Sequence, residues 1–412
     1  MKLQKTTSSS VYVHENVLEL ATQENQTCMD YAGEIMSFTK QDFENLYKKT
    51  NLNRRTYTAH SFRSLVFNGW EKKNLGKKKS VAVRINPDLS EVLINITGEE
   101  NLSEAVTTAI CAVACAKQNN YMPALPEKIK QPPFCLHGNK EKYIAVYQRV
   151  FKELPENINH YVDIFGGTGL LTALASESKK FRNIIYNELD WDRYNTINAL
   201  ATASIEDFLC AFHYFNLKKS FGNKQDKIIF KAVQYCMEHN GNLTKDSILS
   251  KLRQYSQLLQ GISATNEDGV KVLENYHNKK NYLLMIDPPY RACDGYDIKT
   301  PDETETSEET KANLTDKKPK KIFTAEQHEK IAELLHHCRA TFLYCCRITA
   351  PRLRDKNTTP DDYKNADKVY KGMIDEVFSG KKLYYFDCEP EPNGTIERII
   401  SNHPFTDFKP YN

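Results

Sequence analysis

Asp287, Pro288, Pro289 and Tyr290 follow directly on the apolar run Tyr282 to Ile286, and their types and order could hold an amine ready for attack. The carboxylate accepts one N–H. The two prolines fix φ and remove two backbone donors, which leaves the Pro288 carbonyl to accept a second. With both hydrogens engaged, the nitrogen lone pair points away from them, and Tyr290 offers a flat face on which the base carrying the amine can stack. An ordinary strand end with a proline turn is the plainer account of the same four residues.

Such a segment acts only from the edge of a rigid scaffold. The continuous apolar run before it, bounded by turn formers, suits a strand of a parallel sheet covered on both faces. In open α/β sheets, ligands bind outside the carboxyl ends of such strands. A second strand is expected at Tyr161 to Ile164, running through Phe165 into Gly166-Gly167-Thr168-Gly169 and a helix from near Leu170. Glycines there permit positive φ and close approach of backbone to a ligand. A nicotinamide enzyme would use the same turn, so the loop alone leaves the ligand open. Asn183 to Tyr186 then reads as a short strand. Glu188 follows it, where a carboxylate could take both hydroxyls of a ribose, or where a loop acid is merely solvated.

Asp-Pro-Pro-Tyr after a buried strand resembles the catalytic motif of the amino-group DNA methyltransferases, and the leading aspartate resembles the adenine-N6 type. Asp163, Phe165, Gly166, Gly167 and Gly169 resemble that family's first motif, and Glu188 its acidic second one. Upstream, Pro132 to Lys140 resembles the segment before the cofactor loop in the Dam-type (D12 class) enzymes. Gly138 and Lys140 match, whereas Leu136 stands where the family has an aromatic and Asn139 where it has a second glycine. Asp268 matches an acid that the family sets at the cofactor's adenine, although an Asx cap on the following helix explains it equally. Ser401-Asn402 after Glu397 to Ile400 resembles the closing strand. With cofactor loop first, a long insert next and catalytic motif last, the order resembles the α-ordered group.

The resemblance implies an α/β fold with a Rossmann-like methyltransferase sheet and S-adenosylmethionine as cofactor, held by Gly138, Lys140, Asp163, Phe165, Gly166, Gly167, Gly169, Glu188, Asp268 and Asp287. Asp287, Pro288, Pro289 and Tyr290 would be catalytic, on an adenine flipped out of double-stranded DNA. Direct transfer forms no covalent enzyme intermediate, so no cysteine is required as nucleophile. RNA adenine, a cytosine N4 amine and an inactive, DNA-binding relative stay open as alternatives. A cognate restriction endonuclease is a candidate partner.

Residues 205–260 read as a helical insert, with Phe208, Phe212, Phe215, Ile229, Val233, Ile248 and Leu252 as its core. Lys218, Lys219, Lys224 and Lys227 group around Phe221-Gly222-Asn223, a pattern that suits contact with a nucleic-acid backbone. A solvated helical face suits it equally. The family places its target-recognition segment here. Residues 294–321 are charged and Thr-rich, and are expected as a loop that cannot build a core. Phe323 to Cys338 reads as a capped amphipathic helix, Thr341 to Cys346 as a buried strand and Lys382 to Asn402 as two more. Together residues 126–412 are expected to form the methyltransferase domain.

Residues 1–125 carry no such motif and read as a separate N-terminal α+β module. Helices are expected at Thr39 to Lys49 and around Arg54, Arg55, His60 and Arg63. A turn at Asn68-Gly69 follows, then a basic turn at Lys77 to Lys79 and a strand through Val81, Val83 and Ile85. That is the order of a winged helix-turn-helix, or of a generic α+β module with a basic loop.

At 412 residues and 40% hydrophobic content, the chain can hold two or three domains. Its net charge of +3 requires any basic surface for nucleic acid to be local. No stretch resembles a signal peptide or spans a bilayer, so a cytoplasmic protein without a membrane partner is expected. Eleven cysteines, odd in number and irregular in spacing, read as reduced thiols. Cys111 and Cys115 fall on one face of an Ala-rich helix without downstream Cys/His partners, and no metal site is expected.

Overall fold

The computed structural model describes residues 7–23, 26–38, 77–85, 87–97, 99–118, 131–135, 140–216, 224–241, 243–290, 323–349, 367–368, 371–372, 374–376, 378, 382–390 and 394–411. The chain divides into two units, Met1–Lys128 with Ala203–Gln257, and Ile129–Thr202 with Leu258–Asn412.

The first unit opens with β1 (Thr7–His14), α1 (Glu15–Gln23), α2 (Cys28–Gly33), β2 (Lys78–Ile85), α3 (Pro87–Thr97) and α4 (Leu102–Gln118). Strands β1 and β2 pair antiparallel from Thr7 opposite Ile85 to His14 opposite Lys78. Period-2 alternation sends Val11, Val13 and Val83 inward. They meet Val106, Ile110 and Val113, which the helical period stacks along one side of α4. Thr27 caps α2 in a reciprocal box with Asp30.

The pairing corrects one expectation. Lys78 and Lys79 are not in a basic turn but in β2, opposite His14 and Val13, and Lys79 is ion-paired with Glu15. The Ser/Thr-rich partner strand β1 prolongs the ladder beyond what the apolar alternation of β2 alone signals. The two helices expected between Thr39 and Arg63 and the Asn68-Gly69 turn lie outside the described residues, as does the 294–321 segment.

The second unit begins with α5 (Ile144–Glu153), β3 (His160–Asp163), α6 (Leu170–Glu177), β4 (Asn183–Asn187) and α7 (Trp191–Thr202). The chain then contributes α8 (Ile205–Asn216), α9 (Lys224–Glu238) and α10 (Lys245–Leu259), most of which belongs to the first unit. Phe208, Phe212, Ile229, Val233, Ile248 and Leu252 on these helices are buried, and Phe215 is half-buried.

The second unit resumes with β5 (Ser263–Thr265), α11 (Gly269–Tyr276), β6 (Tyr282–Ile286), α12 (Ala325–His336), β7 (Thr341–Arg347), β8 (Tyr384–Asp387), β9 (Glu397–Ser401) and β10 (Lys409–Pro410). Its eight strands form one sheet in the order β10-β8-β9-β7-β6-β3-β4-β5. Strands β5, β4, β3, β6 and β7 are parallel, while β9 runs antiparallel between β7 and β8. Counted from β3, the parallel strands lie in the order 3-2-1-4-5, so the winding reverses between β3 and β6. That reversal is where open α/β sheets form a ligand crevice. Leu283, Leu284, Met285 and Ile286 are at most 1% exposed, as a central strand covered on both faces requires. Among the described residues no helix is long and apolar enough to cross a membrane.

Candidate active site

Strands β3 and β6 are paired with Asp163 opposite Met285, so the segments that leave their carboxyl ends emerge side by side. From β3 comes the glycine turn. Gly167 and Gly169 have φ of 52° and 70°, the left-handed region in which a side chain is strained. The turn is shaped from within the protein: a Cβ at Gly166 would overlap the Tyr186 ring, and one at Gly169 would stand 2.8 Å from Ile197 Cδ1. The Tyr186 hydroxyl donates to the Gly167 carbonyl at 2.8 Å. Close approach at Gly166 and Gly169 is thus made by the protein's own side chains.

Acids line this turn. Asp163 is buried and accepts from Thr172 Oγ1 at 2.8 Å. Burial pushes its carboxyl up to about 7, against the hydrogen bond from Thr172 and with the help of the charges on Asp287 and Glu188. Glu188, beyond β4, accepts from the Gly167 amide at 2.9 Å and the Asp190 amide at 2.8 Å. Burial raises its pKa, and Arg193, 3.6 Å away, opposes that rise. Asn187 joins three loops: its Nδ2 donates to the carbonyls of Ile164 and Glu267, each at 3.0 Å. Its Oδ1 accepts from Thr265 Oγ1 at 2.8 Å and the Glu267 amide at 3.0 Å. Asp268 caps α11 through Oδ1, accepting from Val270 N at 2.9 Å. The Phe165 ring lies over the first residue of that helix, Gly269.

From β6 comes the second half. Lys140 Nζ is 2.8 Å from Asp287 Oδ2, 3.6 Å from Glu397 Oε2 and 3.0 Å from the Tyr290 hydroxyl. The Tyr290 hydroxyl lies 2.9 Å from Glu397 Oε1 and 3.2 Å from Asp287 Oδ1. Lys140 is 5% exposed. Burial alone would lower its pKa, but Asp287 and Glu397 outweigh that and hold the ammonium charged. Burial and the same two carboxylates push the Tyr290 hydroxyl well above its ordinary value, so it stays protonated. Behind them Cys345 meets the Tyr147 hydroxyl at 3.2 Å, and burial keeps its thiol protonated. The Arg347 guanidinium stands 5.7 Å from the Tyr290 ring centre.

Asp163, Phe165, the glycines, Glu188 and Asp268 therefore gather around the ends of β3, β4 and β5. Lys140 departs from that group and joins Asp287 and Tyr290. Pro288 is buried and Pro289 half-buried between them. Gly138, Lys218 and Lys219 lie outside the described residues, Lys224 opens α9, and Lys227 is exposed on α9. Glu397, Asn187, Tyr147, Cys345 and Arg347 join the site without a motif that gives them a role there, although Glu397 opens the strand that resembles the family's closing one. Glu397 had a signal: it is an acid at the head of the apolar pair Ile399-Ile400.

No family model matches the chain. A Haemophilus influenzae protein named "Putative methyltransferase" is 23% identical over 212 residues, which are 39% of this chain and 64% of that protein. The match thus spans less than two thirds of the relative's length. A solved structure of a Pyrococcus horikoshii protein named "putative transferase" aligns over 63% of this chain and 62% of its own, at 13% identity and a TM-score of 0.23. A score that low supports no argument about fold or function.

Proposed function

We propose that this protein is an S-adenosylmethionine-dependent methyltransferase that modifies the exocyclic N6 amine of adenine in double-stranded DNA. The observation that carries the reading is the meeting of two segments at one sheet reversal. The glycine turn with its Glu188 partner follows β3, and Asp287-Pro288-Pro289-Tyr290 follows the adjacent β6. The Haemophilus influenzae relative supports the methyltransferase part. Adenine and DNA rest on the motif resemblance alone.

The residues fit the cofactor chemically. Glu188 is a fixed carboxylate at the end of β4 and can accept from ribose hydroxyls. Phe165 supplies an apolar face beside the Asp268 cap for an adenine ring. The Glu188 carboxylate beside the glycine turn is a setting that favours a cationic ligand. When bound, S-adenosylmethionine supplies an electrophilic methyl on sulfur and departs as the neutral thioether.

The chain's part is to hold the amine. Asp287 Oδ1 and the Pro288 carbonyl accept its two hydrogens, and the Tyr290 ring supports the base, so the nitrogen lone pair faces the methyl carbon. Bound S-adenosylmethionine would supply the methyl and take the C–S electrons as it leaves, and the chain's own task is the proton that remains on the amine. The nitrogen becomes cationic, and its surplus proton passes to Asp287 and then to solvent. An N-protonated aromatic amine is acidic enough for a carboxylate held beside Lys140 to take it. The methylated duplex, digested to nucleosides after incubation with protein and methyl-labelled S-adenosylmethionine, is expected to carry label as N6-methyldeoxyadenosine. Label in cytosine, or in RNA but not DNA, would reassign the substrate; no transfer to any nucleic acid would remove the proposal.

A further inference from the structure

Asp287 Oδ1, the oxygen assigned to the substrate amine, is itself 3.2 Å from the Tyr290 hydroxyl. If that hydroxyl donated to Asp287, the amine would face an oxygen already engaged. Tyrosine has one hydroxyl hydrogen. Lys140 has three; two acceptors lie within hydrogen-bond reach of its Nζ, Asp287 Oδ2 and Tyr290 Oη, and Glu397 Oε2 completes an ion pair at 3.6 Å. The ammonium therefore fills an acceptor site on the hydroxyl oxygen, and the hydroxyl's own hydrogen must go to Glu397 Oε1 at 2.9 Å or to Asp287 Oδ1 at 3.2 Å. The shorter contact takes it.

We propose that Glu397 is a positioning residue for methyl transfer. By accepting the Tyr290 hydroxyl hydrogen it keeps Asp287 Oδ1 open for the substrate amine, and it fixes the ring on which the base stacks. The sheet makes this possible. β9 is inserted antiparallel beside β7, which brings Glu397, 107 residues from Tyr290 in sequence, to the catalytic segment. At 7% exposure the carboxylate is shielded from water, which would otherwise compete for the same hydrogen.

This inference rests on the methyltransferase reading, and its test is a double-mutant cycle with the full chain and a duplex whose methylated site has been mapped. In Glu397→Gln the side-chain carbonyl turns to Lys140 and its NH2 faces the hydroxyl oxygen, so the Tyr290 hydrogen swings to Asp287. We expect kcat to fall about tenfold, the size of one misdirected buried hydrogen bond, with S-adenosylmethionine affinity nearly unchanged and with the stability lost as Lys140 gives up one of its two carboxylates equal in both backgrounds. In a Tyr290→Phe background there is no hydroxyl to misdirect, and the same Glu397→Gln change should lower kcat less than about twofold. An equal fall in both backgrounds would mark Glu397 as merely structural and overturn the inference, as would no fall in either or an inactive Tyr290→Phe. If the wild-type protein transfers no methyl group to the duplex, the underlying reading fails first.

Discussion

The Phe165 ring rests against Gly269 so closely that a Cβ on that residue would stand 2.5 Å from the ring's Cε1. Gly269 begins α11 directly after the Asp268 cap, so the contact ties the turn after β3 to the helix after β5. Its backbone is not in the left-handed region, and the nearest atoms an alanine there would meet are those of the ring. Gly269→Ala should therefore displace Phe165, cost about 1–3 kcal/mol as overpacking does, and weaken S-adenosylmethionine binding. Denaturant unfolding and calorimetry check the two effects. Trimming Phe165 to Leu should recover stability but not affinity.

Asp163 predicts an inverted pH dependence. Its folded pKa is raised to about 7 by burial, above the unfolded value of about 3.9. The folded state therefore holds the proton more tightly, and stability falls as pH rises between those two values and levels off above the higher one. Asp163→Asn keeps an acceptor for Thr172 without the charge. It should be more stable than wild type by about 4 kcal/mol above pH 8, with the gap closing toward pH 4. Unfolding curves across that range measure it; a gap independent of pH would contradict the assignment.

Much of this site was legible because its parts are local. The apolar run of β6 stopping at Asp287, the glycine turn after β3 and the strand before Glu188 each announce themselves within ten residues. The contacts that join them do not. Lys140 meets Tyr290 across 150 residues, and Glu397 arrives because β9 is inserted between β7 and β8, an edge order that no local pattern encodes. Lys140 shows the result: its ion pair with Asp287 joins two segments far apart in sequence. In the first unit, β2 begins earlier than its alternation implies because β1, far back in sequence, pairs with it.

Glu188 should separate cofactor binding from turn stability. Its Oε2 holds the Gly167 amide, so Glu188→Ala removes both the proposed ribose acceptor and a restraint on the turn. Calorimetry should show S-adenosylmethionine affinity reduced at least tenfold, about 1.4 kcal/mol. Unchanged affinity would place the cofactor elsewhere.

The basic residues from Lys218 to Lys227 are proposed to hold DNA phosphates. Replacing Lys218, Lys219, Lys224 and Lys227 with glutamine should flatten the dependence of log K on log salt by about 0.9 for each phosphate that is no longer neutralised. A titration series with duplex DNA reads the slope. A slope equal to wild type would return these lysines to a solvated face.

Asp287 is assigned to the substrate amine and Glu188 to the cofactor, and a single variant separates the two roles. S-adenosylmethionine affinity and methyl transfer to duplex DNA are measured on the same preparation of Asp287→Ala. The account predicts transfer below about a hundredth of wild type with cofactor affinity within about threefold. Transfer at the wild-type rate would contradict it outright.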